Sequence, residues 1–244
     1  MKFDYTKKDY LYPKWYIRLY SFLLFWILVP VLLIIKNFIL GVKVKGKENY
    51  KKIKKQGAVI VANHVHEFDA PMIGMSILPR RMTIISMENN FTQNSFMGWL
   101  IYGLGARPIP NDLRYMKQTL EYYAELAKSG KKVLIYPEGH LVRRCPELRE
   151  FKTGAFRIAV EAGVPILPVC YTYRGKKLTL NFLEPIYAQE GEDAKALTKR
   201  TFDIMNAFFT EQMAKNQESM AVEEEDPVVE KIQDEEEAMA SKHA

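Results

Sequence analysis

The sequence predicts an α/β fold, a central sheet flanked by helices, carrying an N-terminal hydrophobic membrane-anchoring helix. Three observations lead there. First, apolar strand-like runs at 59–62, 82–86, 133–136, 166–171 and 178–183 alternate with helical stretches, which is the α/β pattern. Second, seventeen residues from Leu19 to Ile35 carry no charge, and those from Phe22 to Ile35 are uniformly apolar. Third, 244 residues suffice for one globular domain with a full core plus appendages. The expected division is an anchor at 1–45, a catalytic domain at 46–217 and an acidic, disordered or loosely helical tail at 218–244.

The anchor is borderline for a span, which needs about 20 apolar residues with roughly 17 as a lower limit, and Pro30 interrupts it. The following Lys36-Asn37-Phe38-Ile39-Leu40 has no small-x-small site, which disfavours a cleaved signal peptide. Lysines and arginines flank both ends, eight lysines lying between Lys36 and Lys55, so the positive-inside bias sets no orientation. The favoured reading is an uncleaved helix held in one leaflet at the cytoplasmic face, with a true span as the alternative. Within the domain, the clearest helix runs over 113–128, capped by Asn111 or Asp112, with Leu113, Met116, Leu120, Tyr123 and Ala127 at helical spacing and Gly130 as its stop. Further helices are expected from near Pro71, over 153–162 up to Gly163, and over 195–215.

Charge is distributed unevenly. The net charge is +6, yet residues 218–244 hold ten acids against two lysines, leaving 33 basic and 19 acidic residues, or +14, in 1–217. Such a body attracts anionic membranes, phosphorylated lipids, coenzyme A or acyl carrier protein. Nucleic acid is the weakest partner, because the lysine cluster abuts the anchor and lacks interleaved aromatics beyond Tyr50. Cys145 and Cys170 are the only cysteines; two without a CxxC pair make neither a disulfide framework nor a zinc site.

The chemistry-bearing segment is Ala58-Val59-Ile60-Val61-Ala62-Asn63-His64-Val65-His66-Glu67-Phe68-Asp69. A strand delivers a histidine, and a carboxylate follows five residues later. A histidine with a pKa near ~6.5 accepts a proton at neutral pH, and an aspartate on its other ring nitrogen fixes the tautomer. On a helix the two would point about 140° apart, so they meet only across a turn. An ordinary surface turn is the bland alternative. His64-Val65-His66 with Asp69 also invites a metal reading, but further ligands are scarce and no metal is expected.

Downstream, Leu134-Ile135-Tyr136-Pro137-Glu138-Gly139 precedes Phe151-Lys152-Thr153-Gly154-Ala155 and Gly163-Val164-Pro165-Ile166-Leu167-Pro168-Val169. In this order and spacing, from Gly57 to Tyr173, the segments resemble the four blocks of the glycerolipid acyltransferase family, of the lysophosphatidate acyltransferase type. The resemblance implies a central mixed sheet and an acyl thioester donor, with His64 as general base oriented by Asp69 and a lysophospholipid hydroxyl as nucleophile. It requires no cofactor beyond the acyl-CoA or acyl carrier protein that donates the acyl group. No Gly-x-Ser-x-Gly elbow occurs, which leaves a serine nucleophile unsupported.

The resemblance makes Glu138 and Gly139 acceptor-binding residues, with backbone amides near Gly139 as oxyanion donors; a strand-ending turn is the alternative for the pair. Two departures follow. His140-Leu141-Val142 stands where the family has Thr-Arg-Ser, and Asn111 stands where it has a phosphate-binding arginine. Arg107, Arg114, Arg143 and Lys152 are the replacement candidates for an anionic head group. Glu88 and the run Phe96-Met97-Gly98-Trp99 are assigned to packing and acyl-channel lining. The leading activity is conversion of lysophosphatidate to phosphatidate. Acylation of another lysolipid and a non-catalytic membrane-binding module are the alternatives.

Overall fold

The structure is a computed structural model that describes residues 3–175 and 177–224. A seven-stranded sheet in the order β1-β7-β6-β2-β5-β3-β4 forms the centre. Its strands are β1 (Lys43–Lys45), β2 (Ala58–Ala62), β3 (Met82–Met87), β4 (Ala106–Ile109), β5 (Lys132–Ile135), β6 (Ile166–Arg174) and β7 (Lys177–Phe182). All pairings are parallel except β6 with β7, so the sheet is mixed, as expected.

Two strands were not anticipated. β1 is a three-residue Lys-Val-Lys segment with no apolar run. β4 reads Ala-Arg-Pro-Ile, and proline argues against a strand unless it lies at an edge. β4 is an edge strand, paired only with β3, which is the position where proline is tolerated.

Side chains alternate across the central strands with period two. Val59, Val61, Val133 and Ile135 face one core. Ile60, Ala62 and Leu134 face the other. The first core is closed by α6 (Met116–Lys128), α7 (Gly154–Ala162) and α8 (Ala194–Glu224), through residues such as Tyr123, Phe156 and Phe209. The second is closed by α2 (Lys47–Lys52) and α3 (Asp69–Ser76), through Tyr50, Met72 and Ile73. The stretch expected as one helix over 113–128 opens with a 3-10 turn at Leu113–Tyr115, capped by Asp112, whose Oδ1 accepts from the Arg114 amide at 2.9 Å. α8 continues past the expected end at 215 to Glu224; the tail from 225 onward lies outside the described residues.

Gly57 leads into β2 at a close approach to the end of α6. A Cβ there would lie 1.8 Å from the Ala127 carbonyl oxygen, a backbone atom that cannot swing aside. Gly57→Ala is therefore expected to cost about 1–3 kcal/mol, read as a lower urea midpoint at unchanged slope; an unchanged midpoint would refute the close approach.

The hydrophobic segment forms α1 (Trp15–Ile34) and continues as a π-helical turn, Ile35–Ile39. Among the described residues it is the one helix long and apolar enough to cross a membrane, and 11% of its most apolar stretch is buried. It lies along the domain. Phe25 and Val29 pack against Met75 of α3. Ser21 Oγ donates to the Gly103 carbonyl at 2.6 Å, at the end of α5 (Ser95–Gly103). Trp15, Leu19, Phe22, Trp26 and Ile27 face outward. Phe96 and Trp99 of α5 are exposed as well.

Candidate active site

β2 ends at Ala62, and the chain leaves the sheet over the next two residues. Asn63 governs that exit. Its buried amide replaces the missing ladder, accepting from the Tyr171 amide at 2.7 Å and donating to the Tyr171 carbonyl at 3.0 Å. His64 is thereby turned out of the sheet at the carboxyl end of a parallel strand, where α/β folds place their sites. No signal in the sequence distinguished Asn63 from an ordinary strand-end residue.

His64 and Asp69 meet across the turn, with Nδ1 and Oδ2 3.0 Å apart. Asp69 is fully buried. The same Oδ2 accepts from the Val65 amide at 2.8 Å and the His66 amide at 2.9 Å, so the carboxylate both folds the turn and orients the imidazole. Since Nδ1 faces Asp69, Nε2 is left for the reacting group. The Tyr136 ring stacks on His64 with centroids 4.0 Å apart and planes 14° from parallel. Burial, then the charge of Asp69, raise the Tyr136 phenol well above its ordinary range.

Glu138 supports the base from the other side. Its buried carboxylate accepts from the His64 amide at 3.3 Å, and Arg149 Nη2 pairs with it at 2.6 Å. Arg149 also reaches His140 Nε2 at 2.7 Å and the His140 carbonyl. Sequence reading missed Arg149, a lone arginine in a loop without periodicity. The Gly139 amide donates to the Tyr136 carbonyl at 3.0 Å and closes the turn. Gly139 has φ +87°, a conformation that favours glycine. A Cβ on it would come 2.8 Å from Lys152 Nζ: the glycine lets the Lys152 ammonium settle against the turn. His66 Nδ1 accepts from the Phe68 amide at 3.1 Å, a local turn contact.

The arginine candidates separate. Arg107 is buried in β4, donates to the Tyr102 and Ala106 carbonyls at 2.8 and 2.7 Å, and does not line the cleft that His64 lines. Arg114 is exposed and folds back on Asp112. Arg143 is exposed and pairs with Glu67. Asn111 Nδ2 donates to Asn89 Oδ1 at 2.8 Å. Lys152 does line the cleft, joined by Arg157 of α7, which the sequence reading did not select.

The cleft encloses about 1210 Å³, above the ~300–1,000 Å³ usual for small ligands. His64, Gly139 and Lys152 stand at one part of it. From there it runs over Gly74 and Met75 of α3 to Phe25 and Leu32 of α1, and past Met97 and Ile101 of α5. Within the aromatic run of α5, Met97 lines the channel while Phe96 and Trp99 are on the exterior. Glu88 Oε2 accepts from the Asn111 amide at 3.4 Å, a packing contact near the channel's rim.

Comparisons with known proteins bear on the family and the fold. A family model described as Acyltransferase matches residues 41–172. The chain is 31% identical over 147 residues to the 1-acyl-sn-glycerol-3-phosphate acyltransferase of Escherichia coli K12, covering 59% of this chain and 58% of that protein. It is 31% identical over 133 residues to the Saccharomyces cerevisiae protein of the same description, covering 53% and 42%. The chain thus spans about half the length of such curated relatives. The crystal structure of the 1-acyl-sn-glycerophosphate (LPA) acyltransferase PlsC from Thermotoga maritima superposes with a TM-score of 0.54 at 19% identity, over 80% of this chain and 95% of that one. The family model's match over more than half of the chain, in a segment that holds His64 and Asp69, and the relatives it agrees with make this chain a member of the glycerolipid acyltransferase family.

Proposed function

We propose that the chain is a membrane-associated 1-acyl-sn-glycerol-3-phosphate acyltransferase. The observation that carries this reading is the 3.0 Å His64–Asp69 contact at the head of a channel that runs to α1. His64 Nε2 takes the proton of the lysophosphatidate hydroxyl as its oxygen attacks the carbonyl carbon of an acyl thioester. The tetrahedral intermediate collapses, the carbon–sulfur bond breaks, and the imidazolium returns the proton to the departing thiolate. Asp69 stays ionised and steadies the imidazolium. No acyl-enzyme forms. Coenzyme A and acyl carrier protein, both acidic, are the donor carriers that suit the basic body.

Lys152 and Arg157 are the head-group cations of this reading, in place of Arg107, Arg114 and Arg143. The exposed apolar residues of α1 and α5 lie in the membrane, with the domain on the cytoplasmic side. Charge-assisted hydrogen bonds contribute about 1.5–3 kcal/mol each, so Lys152→Ala/Arg157→Ala is expected to raise KM for lysophosphatidate at least tenfold and leave an uncharged lysolipid acceptor unaffected. The assay is thiol release from long-chain acyl-CoA, with acyl carrier protein as a parallel donor. The relocated arginines and Asn111 favour one second reading, an acceptor without a terminal phosphate; turnover with the uncharged lysolipid alone would select it.

A further inference from the structure

A second cavity, of about 1080 Å³, lies at the opposite edge of the sheet. Its walls include Lys54 and Lys55 before β2, Met82 and Thr83 at the start of β3, Gly105 before β4, and Lys131 and Lys132 at the start of β5. These strands run parallel, so their amino ends share an edge. His64 follows the carboxyl end of β2, whose five residues span roughly 16 Å. Arg80, Arg81 and Met82 form the wall common to both cavities.

The lining is basic, and no carboxylate contributes to it among the described residues. Three of its cations are shielded from solvent and hold only neutral acceptors. Arg81 Nη2 donates to Ser21 Oγ at 2.8 Å and the Gly103 carbonyl at 3.2 Å. Arg107 donates to two carbonyls, as described. Lys132 Nζ donates to the Ile53 carbonyl at 2.7 Å and to the Gln56 carbonyl. Burial, then the neighbouring Arg80 charge, push the Lys132 ammonium down to about 8. Burial, then Arg107, lower Arg81 likewise. Arg18, Lys54, Lys55, Arg80 and Lys131 add exposed cations, and none of them is in an ion pair among the described residues. Clustered, desolvated cations without counter-charge are costly, and a polyanion relieves that cost.

The remaining wall identifies the anion. Trp15, Leu19 and Phe22 of α1 line the cavity and are largely exposed, so the basic chamber opens onto the helix's apolar surface. A phosphate with attached acyl chains satisfies both walls; coenzyme A and free phosphate satisfy only the basic one.

We propose that this cavity binds the head group of an anionic phospholipid, separate from the acceptor site, with its phosphate among Arg80, Lys54 and Lys131 and its chains along Leu19 and Phe22. The site does not depend on His64 chemistry.

The test uses the full chain in non-ionic detergent with Trp26→Phe/Trp99→Phe, leaving Trp15 as the only tryptophan. Its fluorescence is titrated with dihexanoyl phosphatidylglycerol, dihexanoyl phosphatidylcholine, inorganic phosphate and coenzyme A. A saturable response at least tenfold tighter for phosphatidylglycerol than for the others is expected. Lys54→Ala/Arg80→Ala/Lys131→Ala should weaken it at least tenfold, while the charge-matched Lys195→Ala/Lys199→Ala/Lys215→Ala on α8 keeps it. Equal binding of phosphatidylcholine, phosphate or coenzyme A, or a response unchanged by the cavity substitutions, overturns the proposal. His64→Ala, which tests the transferase reading, is expected to leave this titration unchanged.

Discussion

His64→Ala is expected to lower acyl transfer by about 10²–10⁴-fold, the usual contribution of a positioned general base, with the fold retained. Retention follows from the division of labour at Asp69. Two of the three hydrogen bonds to Oδ2 come from backbone amides of the turn, Val65 and His66, and survive the substitution. The His64 amide and carbonyl also keep their partners, Glu138 and the Val142 amide. Thiol release measured beside the circular dichroism spectrum and urea midpoint separates the two effects. Full activity in a folded variant would sink the general-base mechanism.

Arg149→Ala carries the largest expected loss of stability. Glu138 has a side chain 2% exposed, and Arg149 is its ion-pair partner at 2.6 Å. Removing one member of a buried pair costs about 3–5 kcal/mol because the other charge stays desolvated. For a domain of this size that is about 6–20 °C in Tm. Activity should fall as well, since the same carboxylate holds the His64 amide. Glu138→Gln/Arg149→Met, which leaves no unpaired charge, is expected to recover much of the lost Tm. A single variant melting within about 2 °C of the parent would show that water reaches Glu138 and that the pair is not truly buried.

The parts legible in the sequence were those with local signatures. The apolar run before His64 indicated a strand, and helical geometry allowed His64 and Asp69 to meet only across a turn, which is where they do meet. Glu138 stood out because it ends another apolar strand. The unread parts depend on distant partners. Asn63 matters only because Tyr171, 108 residues away, lies beside it. Arg149 matters because the loop folds it over Glu138. Arg107 resembled a phosphate ligand in one dimension, but β4 carries it into the wall at the other edge of the sheet. Arg157 is one residue of a helix until α7 is docked, when its position on the cleft becomes visible.

The pairing of β1 with β7 sets the order in which the molecule can be completed during synthesis. β1 follows the hydrophobic helix closely, yet its register partners, Lys43 with Thr179 and Lys45 with Asn181, emerge from the ribosome some 136 residues later. The hydrophobic helix is thus made long before the strand that follows it has anywhere to dock. A nascent chain that stops before Lys177 lacks β7 altogether, leaving the outer edge of β6 unpaired and open to strand addition by another chain. A sheet without that exposed edge is therefore complete only once β7 has been made, which ties β1, near residue 43, to a strand that begins at Lys177.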